Sequence, residues 1–256
     1  MRGTGSLSIG TILHEDSNLQ AMFITEVFKS IQGEGSRAGL PCIFVRLTGC
    51  NLRCTWCDTA YAFHGGEKMS VAEVVARVDQ LAGRTPDSTS GASNSVFAVP
   101  LVELTGGEPL LQEEIYPLAE QLLASGYTVM IETSGERFIG KLPHEVIKIV
   151  DVKSPDSGEA DTFEMRNLEA LSQNDEIKFV LSTRHDYEFA REFTLQHNLR
   201  ERVHQVLFSP VFEGPEGKWP GLEARKLVEW MLEDSLPVRL GLQLHKFVWD
   251  PATKGV

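Results

Sequence analysis

The run GCNLRCTWCDT places three cysteines, Cys50, Cys54 and Cys57, at the spacing Cys-x3-Cys-x2-Cys, directly after a β-rich run reading CIFVRLTG. Three thiols are thereby gathered in one short loop at the C-terminal end of a strand, where open α/β sheets and barrels build their sites. The fourth cysteine, Cys42, lies only eight residues before the motif. Cysteines so clustered make a poor disulfide framework for a 256-residue chain and point to metal in a reducing compartment, so the expected location is cytoplasmic. Cys42 opens the apolar run and reads as a small core hydrophobe rather than a ligand.

Iron–sulfur clusters take one cysteine thiolate per iron, so three ligands leave one iron of a [4Fe-4S] cluster open to a chelating cofactor. The competing metal reading is a structural zinc site closed by a histidine such as His64. Closed zinc sites usually present two separated ligand pairs, which this single loop does not.

Around the motif, period-two and apolar runs predict strands over 23–28, 42–48, 97–104, 128–132, 147–152, 177–181, 203–208 and 238–244. Apolar residues at three- and four-residue spacing predict helices over 71–81, 113–124, 187–197 and 222–233. Strands separated by helices imply right-handed parallel βα units, and six of them between Cys42 and Phe208 suggest a partial or open (β/α) barrel. A flavodoxin-like open sheet is the second architecture. Residues 1–20 carry no sustained periodicity and read as a poorly ordered N-terminal extension, 83–95 as a polar surface loop, and 21–256 as one domain. The net charge of -12 excludes a phosphate-neutralising surface, so no nucleic acid is expected as partner, and no polybasic membrane contact. No apolar run reaches the roughly 18 residues of a membrane span.

The cysteine motif, with an aromatic residue, Trp56, before its last cysteine, resembles that of the radical S-adenosylmethionine (SAM) superfamily. Thr105-Gly106-Gly107-Glu108-Pro109 resembles the superfamily's GGEP element; read alone, it is a βα turn with Pro109 opening a helix. Upstream lies Phe28-Lys29-Ser30-Ile31-Gln32-Gly33-Glu34-Gly35, and near the end Gln243-Leu244-His245-Lys246 and Pro251. Over these segments the chain resembles the 7-carboxy-7-deazaguanine synthase family, from about Thr25 to Pro251.

That resemblance implies an α/β fold, a partial (β/α)6 barrel of the radical SAM type with additional N- and C-terminal segments. It implies a [4Fe-4S] cluster, SAM and Mg²⁺ as cofactors. The substrate would be 6-carboxy-5,6,7,8-tetrahydropterin, its ring contracted to 7-carboxy-7-deazaguanine with loss of ammonia in queuosine and deazapurine biosynthesis. An electron donor such as flavodoxin or ferredoxin and a homodimeric state are implied with it. Cys50, Cys54 and Cys57 would hold the cluster and Thr59 the Mg²⁺, with Asp58 held by backbone hydrogen bonds. Gly106, Gly107, Glu108, Ser134 and Ser154 would bind SAM. Gln32 and Glu34 would contact the hydrogen-bonding edge of the pterin, and Arg46 would clamp the substrate carboxylate. Thr105 and Glu132 would line the substrate pocket, with His245 facing it from a strand end. Lys153 and Lys178 read as partners of surface or barrel acids and stay outside the site. Some family members end at the proline matching Pro251 and use its carboxylate, whereas this chain continues to Val256. Two rivals remain: an activase of glycyl-radical enzymes, which shares the cysteine motif, and a non-enzymatic iron–sulfur or zinc module.

Overall fold

Alternation of side chains along each strand decides how this chain packs. The computed structural model describes residues 21–83, 98–251 and 253–256. The expected extension over 1–20, most of the 83–95 loop and the start of the strand expected at 97 lie outside them. In chain order the strands are β1 (Ala21–Ile31), β2 (Pro41–Leu47), β3 (Glu67–Ser70), β4 (Leu101–Gly106), β5 (Thr128–Thr133), β6 (Ile147–Asp151), β7 (Glu176–Leu181), β8 (Gln205–Pro210) and β9 (Arg239–Leu240). The helices are α1 (Val71–Ala82), α2 (Ile115–Ala124), α3 (Asn167–Ala170), α4 (Arg184–Gln196), α5 (Leu199–Arg202), α6 (Ala224–Glu233) and α7 (His245–Val248).

Among the described residues the strands form one sheet in the order β3-β1-β2-β4-β5-β6-β7-β8-β9. From β2 onward every pairing is parallel, while β1 runs antiparallel to both β2 and β3. One face of the parallel strands is apolar throughout. Ile43, Val45, Leu47, Val102, Leu104, Ile131, Ile177, Phe179 and Phe208 pack there against helix residues such as Val74, Leu118, Leu122 and Tyr187. The other face changes character along each strand. Cys42, Phe44, Leu101, Met130, Ile147 and Ile149 form a small apolar floor; one step further along the same faces stand Arg46, Glu103, Glu132 and Asp151. Both faces are buried, as parallel strands require.

The sheet is rolled. β1 and β7 are five steps apart in the strand order, roughly 24 Å in a flat sheet. Yet the Lys178 ammonium on β7 sits 2.9 Å from the carboxylate of Glu34, just past β1, and the Leu244 N–H donates to the Gly33 carbonyl at 2.9 Å. Because β1 is antiparallel, the segment after Ile31 arrives at the N-terminal end of the parallel strands and fills the barrel from below. There Ser36 donates through its N–H and hydroxyl to Glu176.

The expected partial barrel is thus present, with three local corrections. The charged run Glu67–Ser70 forms an extra antiparallel edge strand against β1. It escapes pattern reading because an edge strand need bury neither face. Its end is fixed by a capping box, Ser70 and Glu73 each receiving a hydrogen bond from the other's backbone N–H. The strand expected over 238–244 shrinks to Arg239–Leu240, and His245 opens the single turn α7 instead of ending a strand. The strand expected over 203–208 runs from Gln205 to Pro210.

Phe179 is wholly buried and meets Phe189, Phe193 and Phe208 edge-on at centroid distances of 5.6 to 6.4 Å. Phe179→Ala should cost roughly 3–5 kcal/mol, read as a lowered midpoint in urea unfolding. A loss under about 1 kcal/mol would show that the barrel wall does not rest on this cluster.

Candidate active site

The loop after β2 carries the three cysteines and is pinned on two sides. Behind it, the Gly107 N–H donates to Leu47 O and the Glu108 N–H to Gly49 O. In front, Arg53 N–H donates to the Glu159 carboxylate, and Thr55 donates through N–H and hydroxyl to the Ser157 carbonyl. Arg53 also folds back to donate to the Cys50 and Leu52 carbonyls and covers the Phe63 ring at 4.3 Å. Gly107 has a steric reason: a Cβ there would overlap the Gly49 carbonyl and lie 2.7 Å from Cys50 Cβ.

Cys50, Cys54 and Cys57 all line one cavity of about 790 Å³ inside the mouth of the barrel. Burial holds the Cys50 thiol above its ordinary range and pushes Cys54 up to about 11. Without a cation these two thiols stay protonated; a bound metal reverses that. Cys42 is wholly buried in the inner floor, outside the cavity wall, as the strand pattern implies. His64, which a closed zinc site needs, is exposed and not on the wall. Among the described residues no three His, Cys, Asp or Glu side chains converge on a single ion. One thiolate per iron is the demand of a polynuclear cluster, and three thiols spaced around a concave wall fit it.

A cofactor beside the cluster also has a place to bind. Asp151 lines the cavity and accepts through Oδ2 from the Lys153 ammonium at 2.7 Å, while its buried Oδ1 has no hydrogen-bond partner among the described residues. Buried acceptors are rarely left so, and a ligand rich in donors satisfies it. Gly106, Gly107 and Ser134 stand on the same wall. Glu108 and Ser154 do not. The Glu108 carboxylate accepts from Leu110 N–H, the Thr133 hydroxyl, and both the N–H and hydroxyl of Ser134, tying the end of β4 to the end of β5. Ser154 is buried and donates to the Val180 carbonyl.

Deeper in the barrel the remaining expected residues come together. Gln32, Glu34, Arg46, Thr59, Thr105, Glu132 and His245 all line the cavity. Arg46 donates its Nε to Glu26 at 2.8 Å, and the Tyr61 hydroxyl donates to the same oxygen at 2.8 Å. Lys178 bonds both Glu34 and Glu132. Burial works against its charge, and those two carboxylates outweigh it, holding the ammonium well above its ordinary range. Burial likewise works against charged Glu34, but Lys178 and the Gln243 amide bring it below the usual range. His245 packs on Gly33, where any Cβ would strike its ring, and burial holds its imidazole below the ordinary value. Thr59 precedes the turn Ala60–Phe63 without capping it, leaving its hydroxyl 3.8 Å from Cys57 Sγ.

Asp58 corrects an expectation: its carboxylate accepts from Lys246 at 2.7 Å, not from local backbone. Lys178 and Lys153 are indeed partners of barrel acids, yet both line the cavity. Glu103, Glu26 and Tyr61 were not singled out in the sequence. A lone acid inside the apolar strand LVELTG was the available signal for Glu103. Residues 253–256, past Pro251, also reach the cavity mouth, where Lys254 covers the Tyr61 ring at 4.3 Å.

Residues 44–152 match the family model of the radical SAM superfamily. Over 92% of its length the chain is 54% identical to the whole of a 7-carboxy-7-deazaguanine synthase from Koribacter versatilis. The chain belongs to the 7-carboxy-7-deazaguanine synthase family. A relative of that name from Chlorobaculum tepidum is 39% identical over 91% of this chain and 96% of its own. The crystal structure of QueE from Escherichia coli has the same fold, with a TM-score of 0.67 over 90% of this chain and 96% of that one at 24% identity. As a radical SAM enzyme of this family, the protein uses an iron–sulfur cluster and SAM and needs a reductant. No helix among the described residues is long and apolar enough to cross a membrane.

Alanine at Cys50, Cys54 or Cys57 should abolish cluster assembly, while Cys42→Ala keeps it; iron and sulfide content after anaerobic reconstitution decides, and a normal value in any of the first three refutes the ligand set. Gly107→Val should lose the cluster as well as SAM binding, because the side chain meets the cysteine loop itself. Full iron content with weakened SAM binding would instead put the clash at the cofactor.

Proposed function

We propose that this enzyme contracts the ring of 6-carboxy-5,6,7,8-tetrahydropterin to 7-carboxy-7-deazaguanine with loss of ammonia. The observation that carries this reading is the polar inner wall facing the cysteine loop. Gln32, Glu34, Glu132 and Lys178 are locked together there by hydrogen bonds and ion pairs. A cavity of about 790 Å³ holds that wall and the cluster loop within one enclosure, within the range of about 300–1,000 Å³ usual for small-molecule sites.

When bound, the cluster and SAM supply the one-electron chemistry that removes a hydrogen atom from a substrate carbon. The chain's own task is to hold that carbon in place. Gln32 and Glu34 offer amide and carboxylate groups to the donor and acceptor pattern of the aminopyrimidinone. Arg46 has its Nε committed to Glu26, which leaves both terminal nitrogens for a two-pronged contact with the substrate carboxylate. Stacked contacts with Phe28 and Tyr61, each 5.9 Å from the guanidinium, keep it from swinging away. His245, neutral near pH 7 because burial lowers its pKa, can accept or donate one hydrogen bond without adding charge. Gly106, Gly107, Ser134 and the open Asp151 oxygen form the wall for SAM. Glu108 and Ser154 support that wall from behind.

Thr59 is the residue we assign to a Mg²⁺ that also binds the substrate carboxylate. Asp58 would be the stronger ligand on charge alone, but Lys246 already engages it. The test of the whole reading is anaerobic turnover of the tetrahydropterin with SAM and dithionite, followed by detection of 7-carboxy-7-deazaguanine and ammonia. Release of 5′-deoxyadenosine without that product would point to another substrate. For the metal, Thr59→Ala should shift the Mg²⁺ dependence of turnover by about 10-fold at unchanged iron content. A large shift in Asp58→Asn, with none in Thr59→Ala, reverses the assignment.

A further inference from the structure

Three glutamates stand around one ammonium inside the barrel, and only two of them pair with it. Lys178 is taken by Glu34 and Glu132. Glu103, on the inner face of β4, is 3% exposed and lines the cavity. Among the described residues its carboxyl is bonded only by the Gln32 side chain, whose Nε2 donates to Oε2, and no cation pairs with it. Gln32 is itself fixed, its own carbonyl oxygen accepting from the Glu34 N–H at 2.9 Å. The groups that face Glu103 are Glu34 after β1, Cys42 on β2, Glu132 on β5 and Lys178 on β7. A buried carboxylate with two others nearby and no cation of its own takes up a proton rather than keep its charge. Burial, joined by Glu132 and Glu34, accordingly holds Glu103 well above the carboxylate range. With Gln32 donating to Oε2, the proton belongs on Oε1. The side chain then presents one O–H donor and one carbonyl acceptor.

We propose that Glu103 is a specificity-determining residue that reads the aminopyrimidinone edge of the substrate as a neutral acid, pairing its O–H with a ring nitrogen and its carbonyl with the adjacent amino group. This rests on the pterin reading above, in which Gln32 and Glu34 meet the same edge. A charged carboxylate would offer acceptors alone and suit an edge made only of N–H groups. The neutral acid suits an acceptor beside a donor. It also rejects an analogue with an oxo group in place of the 2-amino group, because the acid's carbonyl would then face another acceptor inside a buried wall.

The experiment measures KM and kcat for 6-carboxytetrahydropterin in the reconstituted enzyme. It also measures the Kd of 7-carboxy-7-deazaguanine, which keeps the same edge, by calorimetry without SAM. Glu103→Ala should raise both KM and Kd by about 10- to 100-fold, with iron content and SAM affinity retained, and should narrow the preference for the substrate over its 2-oxo analogue. Glu103→Gln, whose amide also offers one donor and one acceptor side by side, should recover about 10-fold of the affinity lost in Glu103→Ala. Wild-type affinity in Glu103→Ala overturns the proposal. So does a Glu103→Gln variant as impaired as the alanine, since that would mean the charge is needed. Wild-type enzyme that neither binds the product nor turns over the pterin sinks the substrate reading first, and this assignment with it.

Discussion

The interior of this barrel depends on one ammonium ion. Lys178 reaches from β7 to the carboxylates of Glu34 and Glu132, and so pulls the segment after β1 into the barrel and holds it against β5. That segment brings Gln32 to Glu103, Gly33 to His245, and Glu34 to Gln243. A buried ion pair is a weak source of net stability, because desolvation offsets most of the attraction. What it does well is specify: each carboxylate has one place where its charge is met. Removing the ammonium would leave several acids facing one another inside the barrel with no cation between them, so the polar wall stands or falls as a unit.

The cysteine loop is held by a different logic, that of shape. Its rear support is two glycines at the end of β4, close enough that neither tolerates a side chain. Its front support is a set of hydrogen bonds to the segment after β6. The ligand loop is therefore clamped between the ends of non-neighbouring strands. The same clamp sets the distance between the thiols and the wall on which SAM is expected.

Much of this was legible in the sequence where the determining contacts are local. The cysteine spacing, the glycine pair and the parallel strands from β2 to β8 across the sheet are written within short windows, and the strands that bury both faces announce themselves as apolar runs. The misses are of two kinds. β3 is a short edge strand whose residues bury little, so no periodicity marks it, and β9, also at an edge, pairs over only two residues of the run expected at 238–244. The functional partners missed, Glu103 with Gln32 and Lys178 with Glu34, join positions 71 and 144 residues apart. Nothing in either local run says which acid will meet which cation. Asp58 shows the same limit, since its partner Lys246 lies 188 residues on. Gln32, Glu34 and His245 were reachable only through family resemblance, and they line one cavity together with Arg46.

The two faces of each parallel strand carry separate instructions on alternate residues. Outward positions such as Val102, Leu104 and Ile131 are committed to the helices, whereas the neighbouring inward positions Glu103, Thr105 and Glu132 line the cavity. A change on the inner set leaves the helix packing untouched, and a change on the outer set leaves the chemistry of the wall unaltered. The scaffold is in this sense a reusable mould: with Lys178 and its two carboxylates kept, a new substrate edge can be written into inward positions such as Glu103 and Thr105 while the register, the roll of the sheet and the clamp on the cysteine loop remain as they are.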